Sequence, residues 1–228
     1  MTPLVCLLFG SFLVAQAEAE KPKPVRYLKP GGDRFVLESE VTITATPTGS
    51  TYVSRTVRGP ETMTLTVHRD KDGKVFAAEI VQQKGEVRKT ASADLRTEPA
   101  KLKRGSVTDL VRVSANPVVT TAPDWSDIFE LVRRYDAKKG GKQEFPGLWF
   151  HPSQPHLTPT FAIERVGTDT VKVKGESQEL TRFRVSLRNA SYRVWARADG
   201  RVCKILPQGE RAVPVVLEGY EEATRGLK

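Results

Sequence analysis

The chain has 228 residues, of which 39% are hydrophobic and 28% charged, and this length allows a hydrophobic core without disulfide support. Its formal net charge of +9 favours anionic partners, although a basic surface can also serve only to keep a protein soluble. Two cysteines are too few for a disulfide scaffold.

The first 17 residues are predicted to be a secretory signal peptide. Leu4 to Val14 form a compact apolar run without charged side chains, and Ala15-Gln16-Ala17 is a small-x-small cleavage pattern. This run is too short to span a bilayer, and no second apolar segment of ~20 residues follows. We therefore expect an exported protein, periplasmic or extracellular, with no transmembrane segment in the mature chain. In that setting lipid or another anionic envelope component is the expected partner, and nucleic acid is not.

Residues 18–33 are predicted to form an extended linker, because they contain three prolines, two adjacent glycines and scattered charges. Residues 34–220 are predicted to form a single antiparallel β domain, and residues 221–228 a flexible tail. Within the domain, Arg34 to Thr46 alternates between apolar and polar side chains, which predicts a long, half-buried strand.

One helix is predicted near residues 125–139. Its apolar side chains, Trp125, Ile128, Phe129, Val132 and Tyr135, lie along one stripe that should pack on the sheet. Asp124 is a plausible N-cap, and Lys138-Lys139-Gly140-Gly141 supplies the stop. Glu130 and Arg134 are spaced to form an ion pair on the helix surface.

From Arg182 to Ile205 every second residue is apolar, which predicts a three-stranded meander with turns at Asn189-Ala190 and Asp199-Gly200. This register sets Leu187 opposite Tyr192, and Val194 opposite Ile205. It also sets Cys203 opposite Ala196 on the apolar face, where a cysteine acts as a small buried hydrophobe.

The two faces of this meander suggest two candidate sites. The apolar face and the helix stripe predict a ligand-binding surface made of Phe183, Val185, Leu187, Tyr192, Val194, Trp125 and Phe129. The opposite face predicts an anion-binding surface made of Arg184, Arg193, Trp195 and Lys204. The alternative for this second face is a solvated surface with cation–π contacts and no dedicated ligand.

The sequence contains no phosphate-binding loop, no G-x-G-x-x-G and no G-x-S-x-G nucleophile elbow, so we do not expect an enzyme. His151 and His156 are too few to hold zinc and lack further ligands at a recognised spacing. We expect neither a metal nor another cofactor. An enzyme would need one of these histidines to converge with a carboxylate in a cleft.

The closing motif Tyr192-x-Val194-Trp195, followed by Asp199-Gly200-Arg201 and Ile205, resembles uncharacterised exported bacterial β-proteins distantly related to the lipoprotein-localisation carriers. The resemblance implies a mainly β fold, in which a curved antiparallel sheet forms an incomplete barrel with one α-helix against its concave side. Relatives with assigned roles carry acyl chains in that hollow or sense envelope stress. The well-studied carriers have several helices where this chain has one.

Two functions remain open at this point. The first is an envelope protein that binds a lipophilic or anionic amphipathic ligand in a half-barrel. The second is a structural or protein-interaction module that binds another envelope protein, through exposed strand edges or the proline-rich segment, and has no small-molecule ligand.

Overall fold

The computed structural model describes residues 22–122, 124–187, 190–209 and 212–224, which form strands β1 to β16, helix α1 and one 3₁₀ helix. The strands are β1 (Val25–Gly31), β2 (Arg34–Thr46), β3 (Gly49–Arg58), β4 (Glu61–Asp70), β5 (Val75–Lys84), β6 (Val87–Asp94), β7 (Ala100–Arg104), β8 (Val107–Val111), β9 (Val118–Thr120), β10 (Lys142–His151), β11 (Gln154–Leu157), β12 (Thr160–Val173), β13 (Glu176–Leu187), β14 (Ala190–Ala196), β15 (Val202–Pro207) and β16 (Val215–Leu217). The helices are α1 (Ser126–Arg134) and the 3₁₀ helix Glu221–Thr224.

The strands belong to one curved sheet that does not close into a barrel. Its order is β11-β10-β12-β13-β14-β15-β16-β1-β2-β3-β4-β5-β6-β7-β8, and every neighbouring pair along this path is antiparallel. Strand β9 pairs in parallel with β10 off the path. The predicted fold class, a mainly β protein with a curved antiparallel sheet packed on one helix, is confirmed.

The two ends of the sheet face each other across the opening and are bridged by side chains. Arg104 on β7 donates from Nη1 to the carbonyl oxygen of Gln154 on β11, at 3.0 Å. Lys89 on β6 donates to the hydroxyl of Ser153, at 3.2 Å. Side-chain contacts thus take the place of the ladder hydrogen bonds that would complete a barrel.

The N-terminal linker prediction is wrong for residues 25–31. These residues form β1, which pairs with β2 on one side and β16 on the other and so joins the first half of the sheet to the last. Tyr27, at the centre of β1, is buried. The segment lacks a clear two-residue alternation, and one of its two partner strands, β16, lies 190 residues away along the chain, as the pairing of Tyr27 with Leu217 shows.

The tail prediction is wrong for residues 221–224, which form the 3₁₀ helix with Ala223 buried. The predicted signal peptide, residues 1–17, and the end of the predicted tail, residues 225–228, lie outside the described residues. No helix in the described part of the chain is long and apolar enough to cross a membrane.

Helix α1 is shorter than predicted and lies inside the curve of the sheet. It ends at Arg134 because Tyr135 takes an extended conformation, with φ −62° and ψ 121°. Three aromatic pairs attach the helix to strands on the inner face. Within the helix, Phe129 stacks on Tyr27 of β1; at its two ends, Trp125 meets Tyr192 of β14 and Tyr135 meets Phe183 of β13. Since sheet surrounds the helix, most of its side chains are buried, including charged ones.

Candidate functional site

Helix α1 divides the hollow of the sheet into two cavities. The first, which we call the Phe129 cavity, has a volume of about 260 Å³ and includes Tyr52 of β3 in its wall. The second, the Trp125 cavity, has a volume of about 280 Å³ and includes Arg58 of the same strand. Six residues of strand separate Tyr52 from Arg58, or roughly 20 Å. The two cavities therefore lie towards opposite ends of β3.

The Phe129 cavity has a mostly apolar wall and a charged rim. The apolar wall consists of Val25, Tyr27, Val41, Ile43, Phe129 and Val202. Tyr27 and Phe129 stack with ring centroids 4.6 Å apart, and the Tyr27 hydroxyl donates to the carbonyl oxygen of Val202 at 3.1 Å. Burial raises the pKa of Tyr27, so this phenol stays neutral. Ile43 is 58% exposed, which places an apolar side chain at the mouth of the cavity.

A buried ion cluster forms one side of the Phe129 cavity. Glu130 of α1 accepts from Arg69 of β4 at 3.0 Å, from Arg133 at 2.7 Å and from Arg134 at 2.5 Å. Arg69 is only 8% exposed and Glu130 only 6%. Burial opposes ionisation of Glu130, but the hydrogen bond from Arg133 and the charge of Arg69 outweigh it and lower the pKa of Glu130. The predicted pair of Glu130 and Arg134 exists, but it is buried and not on the surface.

Arg201 completes the charged rim of the Phe129 cavity. It follows the Asp199-Gly200 turn and is exposed. Its guanidinium lies close enough to Tyr27 to favour the ionised form of that phenol. Within the described part of the chain, Arg201 forms no ion pair. The cavity therefore joins an aromatic, apolar interior to a mouth that carries the exposed Arg201 and also Asp199, which is paired with Arg197 at 3.4 Å.

The Trp125 cavity has a different chemistry. Four aromatic side chains line it: Trp125, Trp149, Phe161 and Tyr192. Two aspartates, Asp124 and Asp127, lie in the same wall, together with Thr120 and Thr121. Trp125 and Tyr192 meet edge to face, with centroids 5.9 Å apart.

The two aspartates are held by hydroxyl groups from neighbouring strands. Asp124 accepts from the hydroxyl of Ser54 on β3 at 2.6 Å, and Asp127 accepts from the hydroxyl of Thr120 on β9 at 3.1 Å. Burial raises the pKa of Asp124. Burial and the neighbouring Asp124 raise the pKa of Asp127 to about 7. The helix N-cap is Trp125 and not the predicted Asp124, which is half-buried one residue earlier and accepts a hydrogen bond from the backbone N–H of Ser126 at 3.2 Å.

The residues of the predicted ligand-binding surface do not share one cavity. Trp125, Leu187 and Tyr192 line the Trp125 cavity, and Phe129 lines the Phe129 cavity. The other three, Phe183, Val185 and Val194, are buried in the core, where Phe183 packs against the ring of Tyr135. Helix α1 packs over the middle of the predicted surface and buries it. The two cavities remain on either side of the helix.

The predicted anion-binding surface is wrong for two of its four residues. Trp195 is 0% exposed and Lys204 is 1% exposed. The indole of Trp195 donates to Asp169 at 2.7 Å, and Lys204 donates to the carbonyl oxygen of Ala223 at 2.8 Å. The 3₁₀ helix therefore covers this face at Lys204, whereas the alternation predicted a solvated face.

The remaining two residues of that surface, Arg184 and Arg193, are cross-strand neighbours. Arg184 is exposed and lies 3.5 Å from Glu164, while Arg193 is half-buried. Burial lowers the pKa of Lys204 to about 8, and its ammonium lies 4.9 Å from the centre of the Trp195 ring. A cation–π contact of the predicted kind thus exists on this face, between Lys204 and Trp195, but it lies inside the protein and not on its surface.

His151 and His156 lie in different surroundings, and one of them faces a carboxylate. His151 is buried and accepts from the backbone of Ser153 at 3.1 Å, and burial lowers its pKa. His156 lies 3.9 Å from Asp109 at the opening of the sheet. Among residues 22–122, 124–187, 190–209 and 212–224, no three His, Cys, Asp or Glu side chains are grouped so that they could hold a metal ion.

Cys203 is buried, and burial raises its pKa to about 11. A bulge after Trp195 sets Val202, and not Cys203, opposite Ala196. We expect Cys203 to react with iodoacetamide at least ~100-fold more slowly in the folded protein than in urea, because only the thiolate is nucleophilic. Mass spectrometry of the peptide that contains Cys203 would measure both rates. Equal rates would contradict its burial.

The described residues define an open, curved antiparallel β protein whose single α-helix leaves one cavity at each end of the hollow. No protein-family model matches the chain, and no curated protein matches it. Among solved structures, one similar chain is a beta-barrel-like protein of Domain of Unknown Function DUF1849 from Brucella abortus, with 11% identity, coverage of 87% of this chain and 97% of that chain, and a TM-score of 0.49. Another is a DUF1089 family protein from Pseudomonas aeruginosa, with 13% identity, coverage of 76% and 91%, and a TM-score of 0.45. The relation to lipoprotein-localisation carriers stays a prediction.

Proposed function

We propose that the protein binds a small amphipathic ligand with an anionic head group in the Phe129 cavity, without catalysis. The observation that carries this proposal is an apolar, aromatic cavity with an exposed arginine, Arg201, at its mouth. The apolar part of the ligand would lie against Tyr27 and Phe129. Its head group would accept hydrogen bonds from Arg201 and from Arg133, which also lines the cavity.

The size of the cavity limits the ligand. Pockets for drug-sized molecules have volumes of roughly 300–1,000 Å³, and the Phe129 cavity, at about 260 Å³, is slightly smaller. A short or medium acyl chain is therefore a better fit than a complete phospholipid. The net charge of +9 would raise the local concentration of anionic ligands. Because residues 1–17 carry the signal-peptide pattern, the proposed place of binding is the periplasm or the cell exterior.

Octanoate is a suitable probe, and isothermal titration calorimetry would measure its binding. We expect octanoate to bind the wild-type protein and Arg201→Gln to bind it about tenfold more weakly, since a hydrogen bond to a charged group contributes about 1.5 kcal/mol. Arg88→Gln is the matched control, because Arg88 is an exposed arginine on β6 outside the wall of the cavity. It should bind octanoate like the wild type.

Two further ligands separate head-group recognition from apolar binding. Octan-1-ol keeps the chain and lacks the negative charge, and octylammonium reverses the charge. The proposal predicts that both bind more weakly than octanoate. Equal affinity for octanoate and octylammonium, or an unchanged affinity in Arg201→Gln, would contradict it.

The second candidate function is a structural or protein-interaction module of the cell envelope. It is favoured by the end strand β8, where Val107 is 53% exposed and Leu110 is 66% exposed. Exposed apolar side chains on an end strand are typical of a surface that pairs with another chain. Native mass spectrometry of the purified protein would distinguish the two candidates, since co-purified acyl species support the first and an empty cavity with a bound protein partner supports the second.

A further inference from the structure

The walls of the Trp125 cavity combine aromatic rings with acids. Trp125, Trp149, Phe161 and Tyr192 supply four π systems, whose faces attract cations. Asp124 and Asp127 supply two carboxyl groups in the same wall. Aromatic rings grouped with carboxylates are the side chains that bind ammonium ions in proteins. The Phe129 cavity has no such pair of carboxyl groups beside several aromatic rings; its one buried acid, Glu130, is bound by three arginines.

Two polar groups of this wall lack partners inside the protein. The indole Nε1–H of Trp125 and the hydroxyl of Thr121 are buried and have no hydrogen-bond partner in the described part of the chain. A buried donor without a partner is costly, and such groups are rare in folded proteins. Both residues line the cavity. An occupant that carries a hydrogen-bond acceptor as well as a positive charge would satisfy both groups.

One cation, Arg58, also lines the Trp125 cavity, where its charge would repel an ammonium ion. Its guanidinium lies 3.3 Å from Glu38, whose side chain is 3% exposed and also pairs with Lys29. Arg58 itself is exposed, so it lies at the rim and its charge is already directed to another carboxylate. In contrast, Asp124 and Asp127 receive hydrogen bonds from neutral hydroxyls. The interior of the cavity is therefore acidic although its rim is basic.

We propose that the Trp125 cavity is a second binding site and that it takes a small organic ammonium ion bearing a hydroxyl or carboxyl group. The ammonium group would lie among the aromatic rings beside Asp124 and Asp127, and its oxygen would accept from the indole of Trp125. At about 280 Å³ the cavity has room for a compact ion of this kind. This site is independent of the ligand proposed for the Phe129 cavity.

Choline is the probe, and the indole N–H signals of the three tryptophans in a ¹H–¹⁵N NMR spectrum are the readout. Trp125 and Trp149 line the cavity, whereas the indole of Trp195 is bound to Asp169 elsewhere and serves as an internal control. Choline should shift the signals of Trp125 and Trp149 in a saturable way and leave that of Trp195 unchanged. Single tryptophan-to-phenylalanine variants assign the three signals.

The uncharged isostere 3,3-dimethylbutan-1-ol tests whether the positive charge matters. It has the shape of choline without its charge, so we expect it to bind the wild-type protein at least about tenfold more weakly. Asp127→Asn, which keeps the volume of the side chain, should weaken choline binding about tenfold. Phe129→Leu, in the other cavity, should leave choline binding unchanged.

The outcomes that overturn the proposal are distinct. Absence of saturable shifts at Trp125 and Trp149 with millimolar choline would mean that the cavity does not take an ammonium ion. Equal binding of choline and 3,3-dimethylbutan-1-ol would mean that it is an apolar pocket. Failure of octanoate to bind in the separate calorimetric experiment has no bearing on either result.

Discussion

Asp127→Asn is expected to raise the free energy of unfolding at pH 8 by about 2–4 kcal/mol. The carboxyl group of Asp127 is 7% exposed, and burial together with Asp124 raises its pKa from 3.8 to about 7. Keeping a carboxylate ionised in this site is therefore costly, and a neutral amide removes the cost. Asparagine can keep the contacts of Asp127 with the Ile128 backbone and with the Thr120 hydroxyl.

The sign of the pH dependence follows from proton binding. Below about pH 4 Asp127 is protonated in both the folded and the unfolded chain, so it does not change the stability. Between pH 4 and 7 the unfolded chain loses the proton first, and stability falls as the pH rises. Above about pH 7 Asp127 is ionised in both states, so the free energy of unfolding no longer falls on its account. The charged groups around Asp127 are Asp124 beside it and Arg58 at the rim.

Urea unfolding of the wild type and Asp127→Asn at pH 5 and pH 8 would measure this effect. The difference in free energy of unfolding between Asp127→Asn and the wild type should be larger at pH 8 than at pH 5. The free energy of unfolding of the variant should therefore depend less on pH. Asp94→Asn is the control of opposite sign, because the hydrogen bond from Arg96 lowers the pKa of Asp94 to about 2. That variant should gain no stability at pH 8. If Asp127→Asn is no more stable than the wild type at pH 8, Asp127 is not the proton-holding acid inferred from its burial.

The parts of the fold that could be predicted are those where a local pattern decides the structure. Strand β2 spans Arg34–Thr46, the bounds that the alternation predicted. In the C-terminal meander the faces of the strands were correct, and Val194 pairs with Ile205 as predicted. The offset between β13 and β14 was wrong by two residues, since Leu187 pairs with Ala190 and not with Tyr192. A shift of two residues keeps every side chain on its face, so the hydrophobic pattern cannot detect it.

The parts that could not be predicted depend on distant segments. Trp195 and Lys204 lie on a face that the alternation marks as outward, but Asp169 of β12 binds the indole of Trp195 and the 3₁₀ helix binds Lys204, so both are buried. The position of β1 depends on β16, at the other end of the chain. These are properties of the assembled sheet and have no counterpart in a local pattern.

For the candidate sites, one local signal was available. Met63, Leu65 and Val67 alternate on the buried face of β4, and the same period places Arg69 on that face. A buried arginine needs a counter-ion, so this alternation predicts an acid opposite β4. It does not identify Glu130 as that acid. The proximity of Asp124 and Asp127 to four aromatic rings likewise required the three-dimensional structure.

The ion cluster around Glu130 should make that residue one of the most sensitive positions in the protein. We expect Glu130→Leu to lower the free energy of unfolding by about 3–5 kcal/mol, because it leaves a buried arginine without its counter-charge. Arg69 is 8% exposed and loses its ion-pair partner in this variant. Arg134 is affected less, because it also donates to the carbonyl oxygens of Asn116 and Pro117. Urea unfolding at pH 7 would measure the change.

The double variant Arg69→Met/Glu130→Leu separates the two reasons why Glu130→Leu could be harmful. If the cost comes from the stranded charge of Arg69, the double variant should recover most of the lost stability, since apolar replacement of a whole buried pair is often neutral. If the cost comes from the changed shape of the α1 surface, the double variant should be no more stable than Glu130→Leu. Glu144→Gln, which breaks the exposed pair of Lys142 and Glu144, is the matched control and should cost less than about 1 kcal/mol. Recovery in the double variant would establish that Glu130 is retained for the charge of Arg69 and not for its packing.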